Sequence, residues 1–476
     1  MTWNTLTPLV PEIFLFTMLC VILVVDAFST DRQRVVTFVL SILTLLGTLF
    51  LVMQNAEVRE QTILSGTFVV DSLGSGVKAI LIAFVFLIIV YSRRYVLDRQ
   101  FRQGEYLILI LFSLLGMMVI SSAGHFVSLY LGLELMSLPL YALTAMRRDC
   151  PYASEAAMKY FFLGAMASAF LLFGMSLLYG VSGSLELSAI SAELVNGEAS
   201  RLIWLLGVVF IAIGIAFKFG LVPFHMWVPD VYQGAPTSIA MLISSAPKVA
   251  AFIFAYRLLS DGLQPLSEDW QQLLMAFAVL SIAVGNVVAL VQASLKRLLA
   301  YSAIAHMGYF ALGLIAANDN GYAAALHYAV VYGVMTLAAF GMLIIYSQKG
   351  YDLESIGDLS GLAKHSPWMA LMFLLVLMSM AGIPPLVGFW AKLEVLKAVI
   401  NVGYTNLAVI AAFFSIVGLY YYLKVVKVMW FDSPTDDEPL VATKQGQLLF
   451  SANCLALLAM GLLPESLLVF CRGLLG

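Results

Sequence analysis

The chain has 476 residues, of which 62% are Ala, Val, Ile, Leu, Met, Phe, Trp, Tyr or Cys and only 11% are charged. Soluble domains run at about 45–50% apolar and about 25% charged, so a soluble protein is excluded, and crossings of about 20 residues each leave no stretch for a sizeable soluble domain. The formal charge of −3 says little as a total; where the charges sit says more.

Taken in chain order, apolar runs of spanning length cover 8–28, 35–54, 73–92, 105–122 and 124–145, then 157–180, 203–233, 236–260, 271–293 and 298–317, and last 322–347, 367–400, 405–430 and 446–472. Helices are expected, because hydrocarbon offers no partner to backbone N–H and C=O groups. The alternating strands of a membrane barrel are not seen. An all-α polytopic membrane protein of about 14 transmembrane helices follows. The first run has no basic lead segment and is long enough to span, so it reads as a first helix and not as a cleaved signal. Cys20, Cys150, Cys454 and Cys471 lie far apart with no CxxC pair, which rules out the clustered thiolates of an iron–sulfur centre or a structural zinc.

Orientation follows from the short loops. Counted from an outside N-terminus, one side collects sixteen basic residues: Arg32, Arg34, Arg93, Arg94, Arg99, Arg102, Arg147, Arg148, Lys159, Lys296, Arg297, Lys349, Lys364, Lys424, Lys427 and Lys444. The other collects five: Arg59, Arg201, Arg257, Lys397 and Arg472. The positive-inside rule places both termini on the outer, periplasmic side.

The runs 203–233 and 367–400 are too long for one crossing and contain Pro223 with Pro229 and Pro384 with Pro385. Proline removes a backbone donor and clashes with the preceding turn, so each helix is expected to break near Pro223 and Pro384. The freed groups are tolerable only where protein or water covers them. Single prolines are ordinary in membrane helices, but two breaks 161 residues apart, each near a lysine, point to a repeat. Five crossings per copy is an odd number, so the copies are expected to be inverted, as in transporters built from inverted repeats. The expected layout is a single transmembrane domain: helices 1–3 in 1–104, one five-helix repeat in 105–260, a second in 261–430 and a last helix in 431–476.

An ionisable group at mid-membrane depth is costly and turns to the bundle interior. Glu134 lies about ten residues into the fifth run, Lys218 precedes the first break, Lys248 follows Pro247 in the eighth run, and Lys392 follows the second break. A static Glu134–Lys218 ion pair that only fixes helix packing is one reading, but it leaves Lys248 and Lys392 unexplained. A proton relay is the other. Lysine suits it, since burial favours its neutral form and a nearby carboxylate its charged one, whereas arginine stays protonated. His225, His306, His327, Ser244, Ser245, Tyr301, Ser302, Thr336 and Tyr420–Tyr422 could hold water between them. His306 precedes Lys392 by 86 residues, much as Glu134 precedes Lys218 by 84, and is carried as a further relay candidate. His125 and His365 read as membrane-edge residues, Asp230 as the anchor of a short half-helix, and Lys78, seven residues after Asp71, as an interface anchor. Neither a dinucleotide fingerprint nor a phosphate loop occurs, and no CxxCH haem site, so the energy for proton movement must come from an ion gradient or from a partner.

The stretches LGLELMSLPLYAL (131–143), FKFGLVPFHMWVPDVYQGAPTS (217–238), SLKRLLAYSAIAHMGY (294–309) and MAGIPPLVGFWAKLEVL (380–396) resemble the antiporter-like membrane subunits of proton-pumping NADH:quinone oxidoreductase, respiratory complex I. The wording PDVYQGAP and GLYYYLKV separates the chain from sister subunits and from multisubunit cation/proton antiporters. The resemblance implies a bacterial inner-membrane subunit without a redox centre or metal of its own, in a complex whose other subunits use NADH, FMN, iron–sulfur clusters and quinone. It implies an antiporter-like neighbour and small membrane subunits as partners. It also implies roles: Glu134 as the fifth-helix glutamate, Lys218 as the seventh-helix lysine paired with it, Lys248 as the central lysine of the eighth helix and Lys392 as the terminal lysine of the twelfth. His327 stands where other members carry apolar or aromatic residues and is left out. The alternatives are a subunit of a gradient-driven cation/proton antiporter and one of a related membrane hydrogenase or dehydrogenase.

Overall fold

The computed structural model describes residues 7–30, 34–55, 61–196, 200–347, 352–434 and 442–475. Arg32, Arg59 and Lys349 of the loop-charge count lie outside the described residues. The fold is helical. In chain order it has α1 (Val10–Phe28), α2 (Val35–Asn55), α3 (Ser72–Asp98), α4 (Gln103–Ser121), α5 (Phe126–Thr144), α6 (Pro151–Ser182), α7 (Leu187–Asn196) and α8 (Arg201–Phe219). There follow α9 (Trp227–Gly234), α10 (Thr237–Ser244), α11 (Ala246–Tyr256), α12 (Ser267–Ala289), α13 (Leu295–Ile315) and α14 (Asp319–Tyr346). The last are α15 (Pro367–Ala381), α16 (Val387–Asn401), α17 (Thr405–Phe431), α18 (Lys444–Leu462) and α19 (Pro464–Leu475). A small antiparallel hairpin, β1 (Gln61–Ile63) with β2 (Phe68–Val70), lies in the loop between α2 and α3, Gln61 opposite Val70.

Among the described residues thirteen helices are long and apolar enough to cross a membrane. The crossing expected at 367–400 is present as two halves, α15 and α16. Two expected runs end earlier than their hydropathy suggests. The run 203–233 stops as a helix at Phe219 and resumes only as the short α9, and 446–472 divides at Leu463 into α18 and α19.

The chain forms two compact units, one of Met1–Val90, Gln100–Ile215 and Ala246–Trp270, the other of Tyr91–Arg99, Ala216–Ser245 and Gln271–Gly476. In the first, α4 lies close along α5 because glycine removes the side chains that would hold them apart: a Cβ on Gly116 would stand 2.2 Å from the Met136 nitrogen. In the second, α14 is the centre and packs against α10, α13, α15, α16, α18 and α19. It is apolar all round and almost wholly buried, as a core helix should be.

Each unit carries the same main-chain signature. Phe126 N–H donates to the Leu185 carbonyl and Leu187 N–H to that of Gly124; Leu295 N–H donates to Glu354 and Ile356 N–H to Ala293. Every residue of the second set stands 169 after its counterpart in the first (295 against 126, 354 against 185). In both, the residue before the helix caps it: His125 Nδ1 accepts from Val127 N–H and Ser294 Oγ from Arg297 N–H. The internal repeat read from the paired breaks therefore has a second witness that owes nothing to proline.

The breaks themselves share one construction. α8 ends with Gly220 at φ +77°, its N–H on the Phe217 carbonyl and the Leu221 N–H on that of Ala216. α15 ends with Gly382 at φ +85°, its N–H on Ser379 and the Ile383 N–H on Met378. Both are left-handed glycine caps with paired return bonds. The helices thus end at glycine, two to three residues before the prolines, which then keep them from resuming.

Candidate functional site

Of the expected relay residues, Glu134 sits on α5, half-buried, and its Oε1 accepts a hydrogen bond of 2.5 Å from Ser168 Oγ on α6. Lys218 occupies the last turn of α8, where the negative end of the helix favours a cation. It is half-buried, with its Nζ 5.9 Å from the centre of the Phe217 ring. The carbonyl of Phe217, which already takes the Gly220 N–H at the break, also accepts from the Trp227 indole N–H at 3.1 Å. Below the break, Asp230 in the first turn of α9 pairs with Arg297 at 3.0 Å, which agrees with its expected anchoring role.

Lys248 is 2% exposed, in the first turn of α11. The helix that carries it is interrupted at Ser245, where ψ is −88°. The Ser244 and Ser245 hydroxyls turn back to the Met241 carbonyl, and Thr336 on α14 donates to the Ser244 carbonyl.

Lys392 is 9% exposed, in the second turn of α16. Its Nζ donates to the Ala381 carbonyl at 2.8 Å and to Ser415 Oγ at 3.1 Å, and lies 5.0 Å from the centre of the Tyr309 ring. Ala381 is the last residue of α15. The carbonyl released by the second break is thus satisfied by the ammonium, while the first break uses an indole.

His306 on α13 is buried in a hydrogen-bonded chain. Its Nδ1 meets the Tyr328 hydroxyl at 2.7 Å and its Nε2 the Tyr422 hydroxyl at 3.2 Å, and Tyr422 continues to Ser302 Oγ at 2.5 Å. Each member can give one proton and take another. Tyr421 meets Asn286 Oδ1 at 3.3 Å, whereas Tyr420 faces outward and does not join the chain.

Several residues that hold these groups carry no charge and were not expected: Ser168, Tyr309, Tyr328 and Ser415. Their only sequence signal is a hydroxyl inside an apolar run, which is also what an ordinary helix–helix hydrogen bond looks like. One expectation is corrected. Lys78 is no interface anchor beside Asp71; it is buried and paired with Glu12 of α1 at 2.5 Å. Asp71 instead accepts from Arg257 at 2.6 Å, and Asp261 does so at 3.1 Å. Among the described residues no cluster of three His, Cys, Asp or Glu could hold a metal ion.

A helical membrane chain with a repeated pair of glycine-capped breaks, each with a lysine beside it, defines a broken-helix transport module. The transmembrane family model described as NADH:quinone oxidoreductase/Mrp antiporter matches residues 123–418. The protein named NADH-quinone oxidoreductase subunit N of Thiobacillus denitrificans is 49% identical over 469 residues, 98% of this chain and 97% of that one. A chain of respiratory complex I from Thermus thermophilus superposes with a TM-score of 0.81 at 30% identity, covering 96% of this chain and 98% of that one. A chain of the Mrp complex from Dietzia sp. gives 0.85 at 21% identity over 100% of this chain and 97% of that one, which establishes shared fold alone. This chain belongs to the NADH:quinone oxidoreductase/Mrp antiporter transmembrane family and, within it, to the subunit N group.

Proposed function

We propose that the chain is a proton-translocating membrane subunit of an NADH:quinone oxidoreductase, driven by redox chemistry in partner subunits. NADH, FMN, iron–sulfur clusters and quinone belong to those partners, and this chain moves protons only. It works in a bacterial inner membrane beside another antiporter-like subunit and small membrane subunits, with both termini on the outer side. Its working parts are two inverted five-helix repeats, 105–260 and 261–430.

The observation that carries this reading is the set of bonds at Lys392. They run to neutral acceptors, the Ala381 carbonyl and the Ser415 hydroxyl, and among the described residues Lys392 makes no ion pair. A lysine held in this way can lose its proton without stranding a buried carboxylate, which a structural ion pair cannot do. Glu134 and Lys218 act as the input pair, Lys248 as the central carrier and Lys392 as the terminal one, with His306 and its tyrosines as a branch. A change of charge in the neighbouring subunit alters what Glu134 does for the ammonium of Lys218, and the proton moves on by way of water to Lys248 and Lys392. Each proton driven against 100 mV needs about 2.3 kcal/mol, which quinone reduction elsewhere supplies.

The test is the assembled enzyme in sealed vesicles, with protons moved per electron as the readout. Glu134→Gln, Lys218→Ala and Lys248→Ala should each lower that ratio, with electron transfer falling alongside where coupling is tight. A wild-type ratio and rate in all three would overturn the relay. Purification of the chain without flavoprotein and iron–sulfur partners would favour a gradient-driven antiporter instead.

A further inference from the structure

His327 on α14 is 1% exposed, and neither ring nitrogen has a hydrogen-bond partner among the described residues. Burying an imidazole without partners is costly, and Phe or Leu would fill the same space without that cost. The ordinary reason for a polar residue in a helical bundle, a hydrogen bond between helices, does not apply to it. Its neighbours say more. α14 packs against both α16 and α19. On α16, two residues beyond Lys392, Glu394 is a largely buried carboxylate paired with Lys397 at 2.8 Å and with Arg472 of α19 at 3.8 Å. Lys397 and Arg472 are half exposed.

Depth agrees. α14 crosses and α15 with α16 returns, so the start of α14 and the end of α16 reach the same face. His327 stands nine residues after the cap Asn318, about 13 Å along the helix. Lys392 and Glu394 stand nine and seven residues before Asn401, about 13 and about 10 Å from that end. Tyr328, the next residue to His327, joins the His306 chain, so α14 serves the polar interior through two adjacent positions.

We propose that His327 and Glu394 form the outward arm of the proton path, linking the level of Lys392 to the aqueous rim at Lys397 and Arg472. The proposal rests on the relay reading and extends it to an exit. The Lys392 ammonium gives its proton through water to one ring nitrogen of His327. The proton on the other nitrogen passes to the Glu394 carboxylate, which releases it to water at the rim. Lys392 ends neutral, the imidazole has exchanged tautomers and the carboxylate is restored, so one proton leaves and no other charge changes. An imidazole suits this step because its two nitrogens take and give from opposite edges.

The test uses the assembled complex in vesicles, with protons per electron measured for H327F, H327Q, E394Q, E394D and, as reference, K392M. H327F, H327Q and E394Q should lose the same share of the ratio as K392M, and E394D should retain most of it. If H327F fails to assemble, H327Q decides. Wild-type ratios in the His327 variants and E394Q beside a lowered ratio in K392M would overturn the arm and leave the relay standing. An E394D variant as impaired as E394Q would mean that Glu394 serves packing, which also overturns it. An unchanged ratio in K392M would remove the relay and the arm together.

Discussion

The ammonium of Lys392 closes the gap that its own helix break opens: it donates at 2.8 Å to the carbonyl of Ala381, eleven residues earlier, where α15 stops. One side chain therefore does two jobs, satisfying a backbone acceptor in a medium that offers no other partner and presenting a titratable group beside the break. The two jobs can be separated by substitution.

Lys392→Met removes the donor and leaves a buried carbonyl unsatisfied, a cost of about 1–3 kcal/mol. Lys392→Arg keeps a donor and a charge but cannot give up its proton. Met is expected to lower both the amount of assembled complex and proton translocation, and Arg to spare assembly while proton translocation falls. Equal translocation in the Arg variant and wild type, measured in vesicles, would leave Lys392 with only its structural job.

The glycines at the second break should be among the least replaceable residues. A Cβ on Gly388 would stand 1.8 Å from the Ser379 carbonyl oxygen, and one on Gly382 would sit at φ +85° and 2.9 Å from Lys392 Cδ. Strain in such a backbone region costs about 1–3 kcal/mol. Gly388→Ala and Gly382→Ala should reduce the level of the subunit in membranes. Among the described residues nothing lies within 4 Å of the Cβ position of Gly180 in α6, so Gly180→Ala should be neutral or stabilising by up to about 1 kcal/mol. Immunoblots of the three variants make the comparison, and a loss at Gly180 equal to that at Gly388 would refute it.

Arg257 is a structural clamp. It pairs with Asp71 at 2.6 Å and with Asp261 at 3.1 Å, and donates to the Ser121 carbonyl at 3.1 Å. Breaking a buried pair from one side costs about 3–5 kcal/mol. Arg257→Met should lower thermal stability and assembly while the surviving complex keeps its protons per electron. Normal assembly with a reduced ratio would instead move Arg257 into the proton path.

At the start of α5, His125 caps the helix through Nδ1, which accepts the Val127 N–H only when it is unprotonated. Burial holds its imidazole below the usual range, and Glu186 opposes this only in part. A histidine that is harder to protonate in the folded chain stabilises fully above about pH 6.5, and that contribution fades as pH falls below this value. Asn caps equally well and does not titrate. Melting of wild type and His125→Asn should coincide near neutral pH, with wild type dropping below the variant at about pH 5.5. Parallel curves over that range would show that the cap does not titrate.

The crossings, the breaks and the burial of Lys248 and Lys392 were legible in order along the chain, because each depends on local quantities, whereas the burial of Lys78, Arg257 and Lys296 was not. Length and hydropathy decide what can span, Gly and Pro decide where a helix stops, and a charge's place within an apolar run gives its depth. Even the repeat was visible as two breaks at a fixed separation. Partnership was not legible. Nothing near Lys78 in sequence points to Glu12 instead of Asp71, and nothing near Lys392 points to Ser415. Whether, among the described residues, His306 is linked and His327 is not depends on which faces of α13, α14, α16 and α17 meet. Desolvation acts on one residue at a time and can be read from position, whereas a hydrogen bond needs two groups brought together by packing, and only the folded chain settles which two.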